Sequence, residues 1–375
     1  MAAPASRPTL DTWMRAPGNR WAFRHVRELI PTARIRHGTP RELPAAFADD
    51  LLDAEIIPAG PGDISVRRFL EQSHGDAFSV LRDGRLVCEW YAPGVDPDEP
   101  HILMSVTKSI TALLAGVLAG EGLLDLDAPT SRYVPEAAGS CFETATVRHL
   151  LDMTVGSGFV EDYSPGPDVH AYRQSTGWYR REGDGPALHE YLCSIPRLGA
   201  HGGDFRYLSP NTDMLGWVCE RAGGIGYADA VSSFLWVPMG AEADADVTVD
   251  RLGAARAAGG MSVTIRDLAR VGQLVAEAGA GVVPEWFVRD LCEGGAPVTG
   301  TDLLMFPGGG YRSSWYQPRW EAGVVAAIGI HGQSIYVDPG RNVVVVKQSS
   351  WPEPVVEADE LLAVRAARAI AHATG

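Results

Sequence analysis

Apolar and polar side chains alternate through FSVLRDGRLVCEWY, residues 78–91, in two halves joined by Asp83-Gly84. Period-two alternation on both sides of a tight-turn dipeptide predicts a β-hairpin. A second β-rich region, GVVAAIGIHGQSIYVDPGRNVVVVKQSS, lies at 323–350. There VDPGRN reads as a turn between two strands, one of them holding the continuous run Val343 to Val346. Between these regions the spacing becomes helical. TVRHLLDMTVGSG (146–158) reads as a short amphipathic helix running into a Gly-containing loop, and NTDMLGWVCERAGG (211–224) as a helix with a Gly stop. SVTIRDLARVGQLVAEAG (262–279) reads as an amphipathic helix opened by a Ser/Thr cap, and EADELLAVRAARAIAHAT (357–374) as a last helix.

Strands near both ends and helices in the middle predict an α+β (or α/β) fold. Its antiparallel sheet is assembled from both chain ends, is flanked by helices, and carries an inserted, mostly helical domain. The expected boundaries are a sheet subdomain at about 1–100 and 255–375 and a helical and loop subdomain at about 101–254, within one unit of 375 residues. The first forty or so residues, rich in Arg and Pro, are expected to wrap the surface as an extended arm. Residues from about 155 to 206 mix Gly, Pro, Tyr and Trp and are expected to cover a substrate.

Composition narrows the function classes. A formal net charge of -15 argues against nucleic acid or an anionic membrane as partner. It fits an enzyme acting on small molecules. Five cysteines at 88, 141, 193, 219 and 292 have neither CxxC nor metal-ligand spacing, and read as reduced residues of a cytoplasmic protein. The N-terminus lacks an apolar signal core, and the small-residue run Ala112 to Ala119 is too short to span a membrane. No histidine spacing suggests a metal, and no cofactor is expected.

The candidate chemistry lies in HILMSVTKSITALLAGVLAGEGLLDLD (101–127). A lysine opens a segment that otherwise reads as a buried helix, and an unpaired buried ammonium is costly. Ser105 and Lys108 are three residues apart, so on a helix the hydroxyl and the amine share a face. At a helix N-terminus the serine also meets free backbone N–H groups, which suit an oxyanion. A desolvated lysine there has a lowered pKa and can help take the serine proton. S-x-x-K alone also fits a capping serine beside a snorkelling lysine.

MSVTKSITALLAGVLAGEGLLDLDAP resembles the serine β-lactamase and penicillin-binding-protein superfamily, specifically its class C-like esterases and amidases. Gly122 to Pro129 match the segment that follows the S-x-x-K helix there. ATVRHLLDMTVGSG resembles the next family segment, with Asp152 and Val155 standing for commoner His and Ser. Several stretches are similar to the 6-aminohexanoate-dimer hydrolases, the nylon-oligomer enzymes, and together span nearly the whole chain. They include RYVPE, TVRHLLDMTVG, PNTDMLGW, GGMSVTIRDLARVGQ and IHGQSIYVDP.

The resemblance implies roles. In FRYLSPNTDMLGW, counting back from Leu215-Gly216 puts Tyr207 at the family's catalytic tyrosine and Ser209 at its asparagine. A rival register reads Ser209-Pro210-Asn211 as S-x-N, whereas Asn211 otherwise serves as a helix cap. The K-T-G strand motif matches Ile330-His331-Gly332-Gln333, without the lysine. Gly332 is expected to let substrate lie along the strand, and an N–H near Gln333 to complete an oxyanion hole with that of Ser105. Tyr163 matches a family tyrosine that closes over the substrate amide. Glu161 and Asp162 beside it could hold a substrate ammonium or simply be solvated.

The implied function is a serine hydrolase. Ser105, deprotonated through Tyr207 and Lys108, attacks a carbonyl of a linear 6-aminohexanoate amide or a short-chain carboxylic ester, and water clears the acyl-enzyme. The alternatives are a carboxylesterase or acyltransferase without oligomer activity, a β-lactamase or D-alanyl-D-alanine peptidase, and a silent binding protein on this fold. A homodimer is the expectation that the family carries.

Overall fold

The computed structural model describes residues 7–375 except 49, 61, 162–166, 181–182, 296–297 and 299–304. Its centre is a seven-stranded antiparallel sheet. In chain order the strands are β1 (Gly75–Arg82), β2 (Arg85–Tyr91), β3 (Gly310–Arg312), β4 (Trp315–Gln317), β5 (Val325–Gly329), β6 (Gln333–Asp338) and β7 (Val343–Ser349). In space the order is β2-β1-β7-β6-β5-β4-β3, so strands from the two ends of the chain pair at β1 and β7. Asp83 and Gly84, both with positive φ, close the first hairpin between paired Arg82 and Arg85. The VDPGRN turn closes the second between Asp338 and Val343.

The unbroken valine run of β7 is explained by burial on both faces. Val344 and Val346 join the core shared with α3 (Ile265–Ala276). Val343 and Val345 join a second core with Ala366 and Ile370 of the C-terminal helix α4 (Glu357–Thr374). Helix α3 lies close on the sheet because Gly272 has no side chain: a Cβ there would come within 2.3 Å of Val344 Cγ1. Thr264 caps α3, accepting from the Asp267 N–H.

Helix α1 (Val106–Gly120) is buried from Val106 through Leu118. It runs through the main core beside β5 and α2 (Ser209–Gly223), and α2 stops at Gly224 in the left-handed region. Small residues along α1 permit this central path. A four-stranded sheet stands beside the first, built from Thr32–Ile35, Ala245–Thr248, Met261–Val263 and His101–Ile102 in that spatial order.

The N-terminal segment is not a surface arm. Trp13, Phe23, Val26 and Ile30 form a buried cluster with Ile102, Met104 and Trp178, and the Trp13 Nε1–H donates to the Trp178 carbonyl at 3.1 Å. Its apolar residues follow no single period, so only tertiary burial shows their purpose. All five cysteines are free. Among the described residues, no helix is long and apolar enough to cross a membrane.

Candidate active site

Strand His101–Ile102 feeds a sharp turn into α1, with Met104 at φ 48° and Ser105 at the N-cap. The Leu103 N–H is tied to the Met261 carbonyl at 2.8 Å, which fixes where the turn begins. Among the described residues the Ser105 N–H meets no backbone acceptor, as suits the free end of a helix. One turn on, the Lys108 Nζ donates to Ser105 Oγ at 2.9 Å and to the Ala258 carbonyl at 2.7 Å. Lys108 is only 1% exposed. Burial lowers its pKa to about 7; the Glu161 carboxylate opposes that shift, the Arg256 guanidinium reinforces it, and Asp213 opposes it. The ammonium lies 5.0 Å from the centre of the half-buried Tyr207 ring, and that ring meets Tyr311 of β3 edge to face.

The Ala258 carbonyl is held in place from α2. Asp213 Oδ1 accepts from the Ala258 N–H at 2.8 Å, and its Oδ2 accepts from the Tyr172 hydroxyl at 2.6 Å. The Arg256 guanidinium donates to both Asp213 and Tyr172. This buried charge pair is therefore also hydrogen-bonded, the condition under which a pair survives desolvation.

The strand edge beside the serine is Gly329-Ile330. A Cβ on Gly329 would lie 2.6 Å from the Leu103 carbonyl oxygen and 3.0 Å from Ser105 N, so only glycine allows this approach. Of the three residues that follow, His331 borders the same cavity as Ser105, while Gly332 and Gln333 lie against Trp351 and Ser349. His331, at φ 61°, points its Nδ1 at the Trp351 carbonyl at 2.8 Å and packs on Phe23. Burial pushes its pKa down to about 4, so the ring is neutral. Gly332, at φ 85°, lies against the Trp351 ring, where a Cβ would come within 2.4 Å. The Gln333 side chain brackets Ser349, donating to its carbonyl at 2.6 Å and accepting from its N–H at 3.1 Å. His331 and Gln333 thus brace the strand end against β7 and the chain that follows it, and the small cavity beside Gly332 is bordered by Trp351 and α4 instead of Ser105.

Two cavities, of about 450 Å³ and 370 Å³, meet at Ser105. The larger lobe is walled by Phe159, Tyr172, Trp178 and Tyr179, with Met14, Arg15 and Ala16 of the N-terminal segment at its rim. The smaller lobe holds Tyr207, Leu208, Ile328 and Glu360. Asn211 does not cap α2. That helix starts at Ser209 behind Leu208, and the Asn211 amide is buried against Met153 Sδ. Glu161 takes the capping place and is not merely solvated: it accepts from the Ser209 N–H at 2.8 Å and its hydroxyl at 2.9 Å. Tyr163 and Asp162 lie outside the described residues. Asp213, Arg256 and Tyr172 went unsuspected in the sequence, although a carboxylate within the apolar face of TDMLGWV is a signal of burial with a partner. Among the described residues no three His, Cys, Asp or Glu side chains gather as a metal ion requires.

The β-lactamase family model matches residues 65–369. The chain belongs to the β-lactamase family. Over 361 residues it is 40% identical to a 6-aminohexanoate-dimer hydrolase of Paenarthrobacter ureafaciens, covering 94% of this chain and 90% of that one. It is 36% identical over 194 residues to the esterase EstB of Burkholderia gladioli, covering 51% and 46%. A solved Bacillus anthracis structure, provisionally named as a 6-aminohexanoate-dimer hydrolase, shares the fold with a TM-score of 0.88 at 24% identity, over 100% of this chain and 98% of that one. With this β-lactamase fold and these relatives, the protein is a serine hydrolase.

Proposed function

We propose that this β-lactamase-family enzyme hydrolyses linear amides of the 6-aminohexanoate oligomer type and short-chain carboxylic esters through an acyl-Ser105 intermediate. The observation that carries the reading is the buried Lys108 amine, 2.9 Å from Ser105 Oγ, with the Tyr207 ring beside it at the meeting of two cavities. The Lys108–Tyr207 pair, once one proton has left it, takes the Ser105 proton through the Tyr207 oxygen as Oγ attacks the carbonyl. The oxyanion is received by the Ser105 N–H and by the strand-edge N–H of Ile330, in place of the expected Gln333. Tyr207 then protonates the departing amine or alcohol, and water repeats the sequence on the acyl-enzyme. Tyr163, as a residue closing over the amide, remains part of the proposal from resemblance alone.

A carboxylesterase or acyltransferase without oligomer activity is the second reading, favoured by the likeness to EstB. Intact-protein mass after brief exposure to p-nitrophenyl acetate and to the 6-aminohexanoate linear dimer separates the two, with Ser105→Ala in parallel. An adduct lost in the variant, together with dimer cleaved to monomer, supports the amidase. An adduct without dimer cleavage supports the esterase. Absence of both adduct and turnover refutes the nucleophile.

A further inference from the structure

The two lobes of the cleft share three bordering residues: Ser105, Ile330 and Glu161. The first two are the proposed nucleophile and the strand edge. Glu161 has no part in that chemistry, yet its carboxylate is held between the lobes by two hydrogen bonds, from the Ser209 N–H at 2.8 Å and the Ser209 hydroxyl at 2.9 Å. Ser209 is the first residue of α2, and Leu208 before it offers no capping side chain. A carboxylate at this end meets free N–H groups and the positive end of the helix dipole. Tyr207 stands two residues before Ser209 on the same short stretch, so the clamp on Ser209 limits where the Tyr207 ring can go.

Glu161 also acts through space. The charged groups that bear on Lys108 are Glu161, Arg256 and Asp213, and Glu161 is the first of them after burial itself. Asp213 and Arg256 are occupied with each other and with Tyr172. Glu161 has no cationic side chain hydrogen-bonded to it among the described residues.

We propose that Glu161 is a positioning residue for catalysis: its clamp on Ser209 fixes Tyr207 against Lys108, and its negative charge balances the Ser105–Lys108–Tyr207 relay. This rests on the reading of Ser105 as nucleophile given above. A carboxylate that only capped the helix would contribute stability and leave the ionisation of the relay alone.

The test uses the full-length enzyme and Glu161→Gln, Glu161→Ala, Ser209→Ala and the Glu161→Ala/Ser209→Ala double variant. It follows kcat and KM for p-nitrophenyl acetate across pH, intact mass, and thermal melting. Gln preserves the acceptor to the Ser209 N–H and removes the charge. Glu161→Gln is expected to move the acid limb of kcat to lower pH by about half a unit to one unit, because Lys108 then holds its proton less tightly. Glu161→Ala is expected to lower kcat by about 10- to 100-fold with KM nearly unchanged. The double variant is expected to be no worse than Glu161→Ala, since one clamp is removed in both. An acid limb unmoved in Glu161→Gln, with only the melting temperature affected, overturns the proposal while leaving Ser105 intact. A wild-type enzyme that forms no Ser105 adduct overturns the nucleophile and this proposal together.

Discussion

An ammonium taken out of water holds its proton poorly, and Lys108 is kept there by two acceptors, Ser105 Oγ and the Ala258 carbonyl. The proton therefore leaves at about pH 7, and kcat/KM for a neutral ester is expected to fall below that pH as Lys108 takes it up. The same shift bears on stability. The folded chain releases the proton near 7 and the unfolded chain near the ordinary 10.5, so between these values the unfolded state binds more protons and stability rises with pH. Lys108→Met is expected to abolish turnover yet raise stability near pH 7 by on the order of 1 kcal/mol, the relieved desolvation being offset by the loss of its two hydrogen bonds. Melting at pH 7 and pH 10 checks both the gain and the flattened pH dependence. Ser105 and Lys108 were legible in the sequence because i,i+3 spacing is a local property. Asp213 was not, and Glu161 was legible only as a loop carboxylate without its contact to Ser209, since a carboxylate's partner forty or more residues away leaves no local trace.

Elements meet closely where side chains are missing. Gly329 lets the end of β5 rest on the turn before α1, and Gly329→Ala forces Cβ to within 2.6 Å of the Leu103 carbonyl oxygen. The strand edge must then retreat from Ser105. A loss of about 10²-fold in kcat is expected, with a stability cost of about 1–3 kcal/mol. Ester kinetics and a urea titration measure the two. Helix α2 is joined to the segment bearing Ala258 by the Asp213 carboxylate, which is wholly buried with Arg256. Asp213→Ala leaves that guanidinium uncompensated and is expected to cost about 3–5 kcal/mol, read as a lowered denaturation midpoint. The elements themselves were legible, because hairpin turns and helix stops are written in a few adjacent residues. The K-T-G alignment located the strand end beside Ser105, while the contacts of Gly332 and Gln333 lead to Trp351 and Ser349. A motif gives the register of a strand, but which residue turns out of it was decided by Trp351 and Ser349, further along the chain.

At the scale of the whole molecule, one sheet from both chain ends was readable from the order of strand and helix patterns. The N-terminal segment was not, because Trp13, Phe23 and Ile30 acquire meaning only against Ile102 and Trp178. That cluster supports the cleft wall, since Trp13 holds the Trp178 carbonyl and residues 14–16 line the larger lobe. Trp13→Ala is expected to cost about 3–5 kcal/mol. It should also raise KM for long-chain esters more than for p-nitrophenyl acetate, which a chain-length series of p-nitrophenyl esters would show. The pairing of β1 with β7 has a last consequence. Ser105 comes more than two hundred residues before the edge it rests against, Gly329-Ile330, and before the strand that anchors that edge. A nascent or truncated polypeptide that lacks those later strands is therefore expected to hold Ser105 in half a site, unable to form an acyl adduct until they have paired.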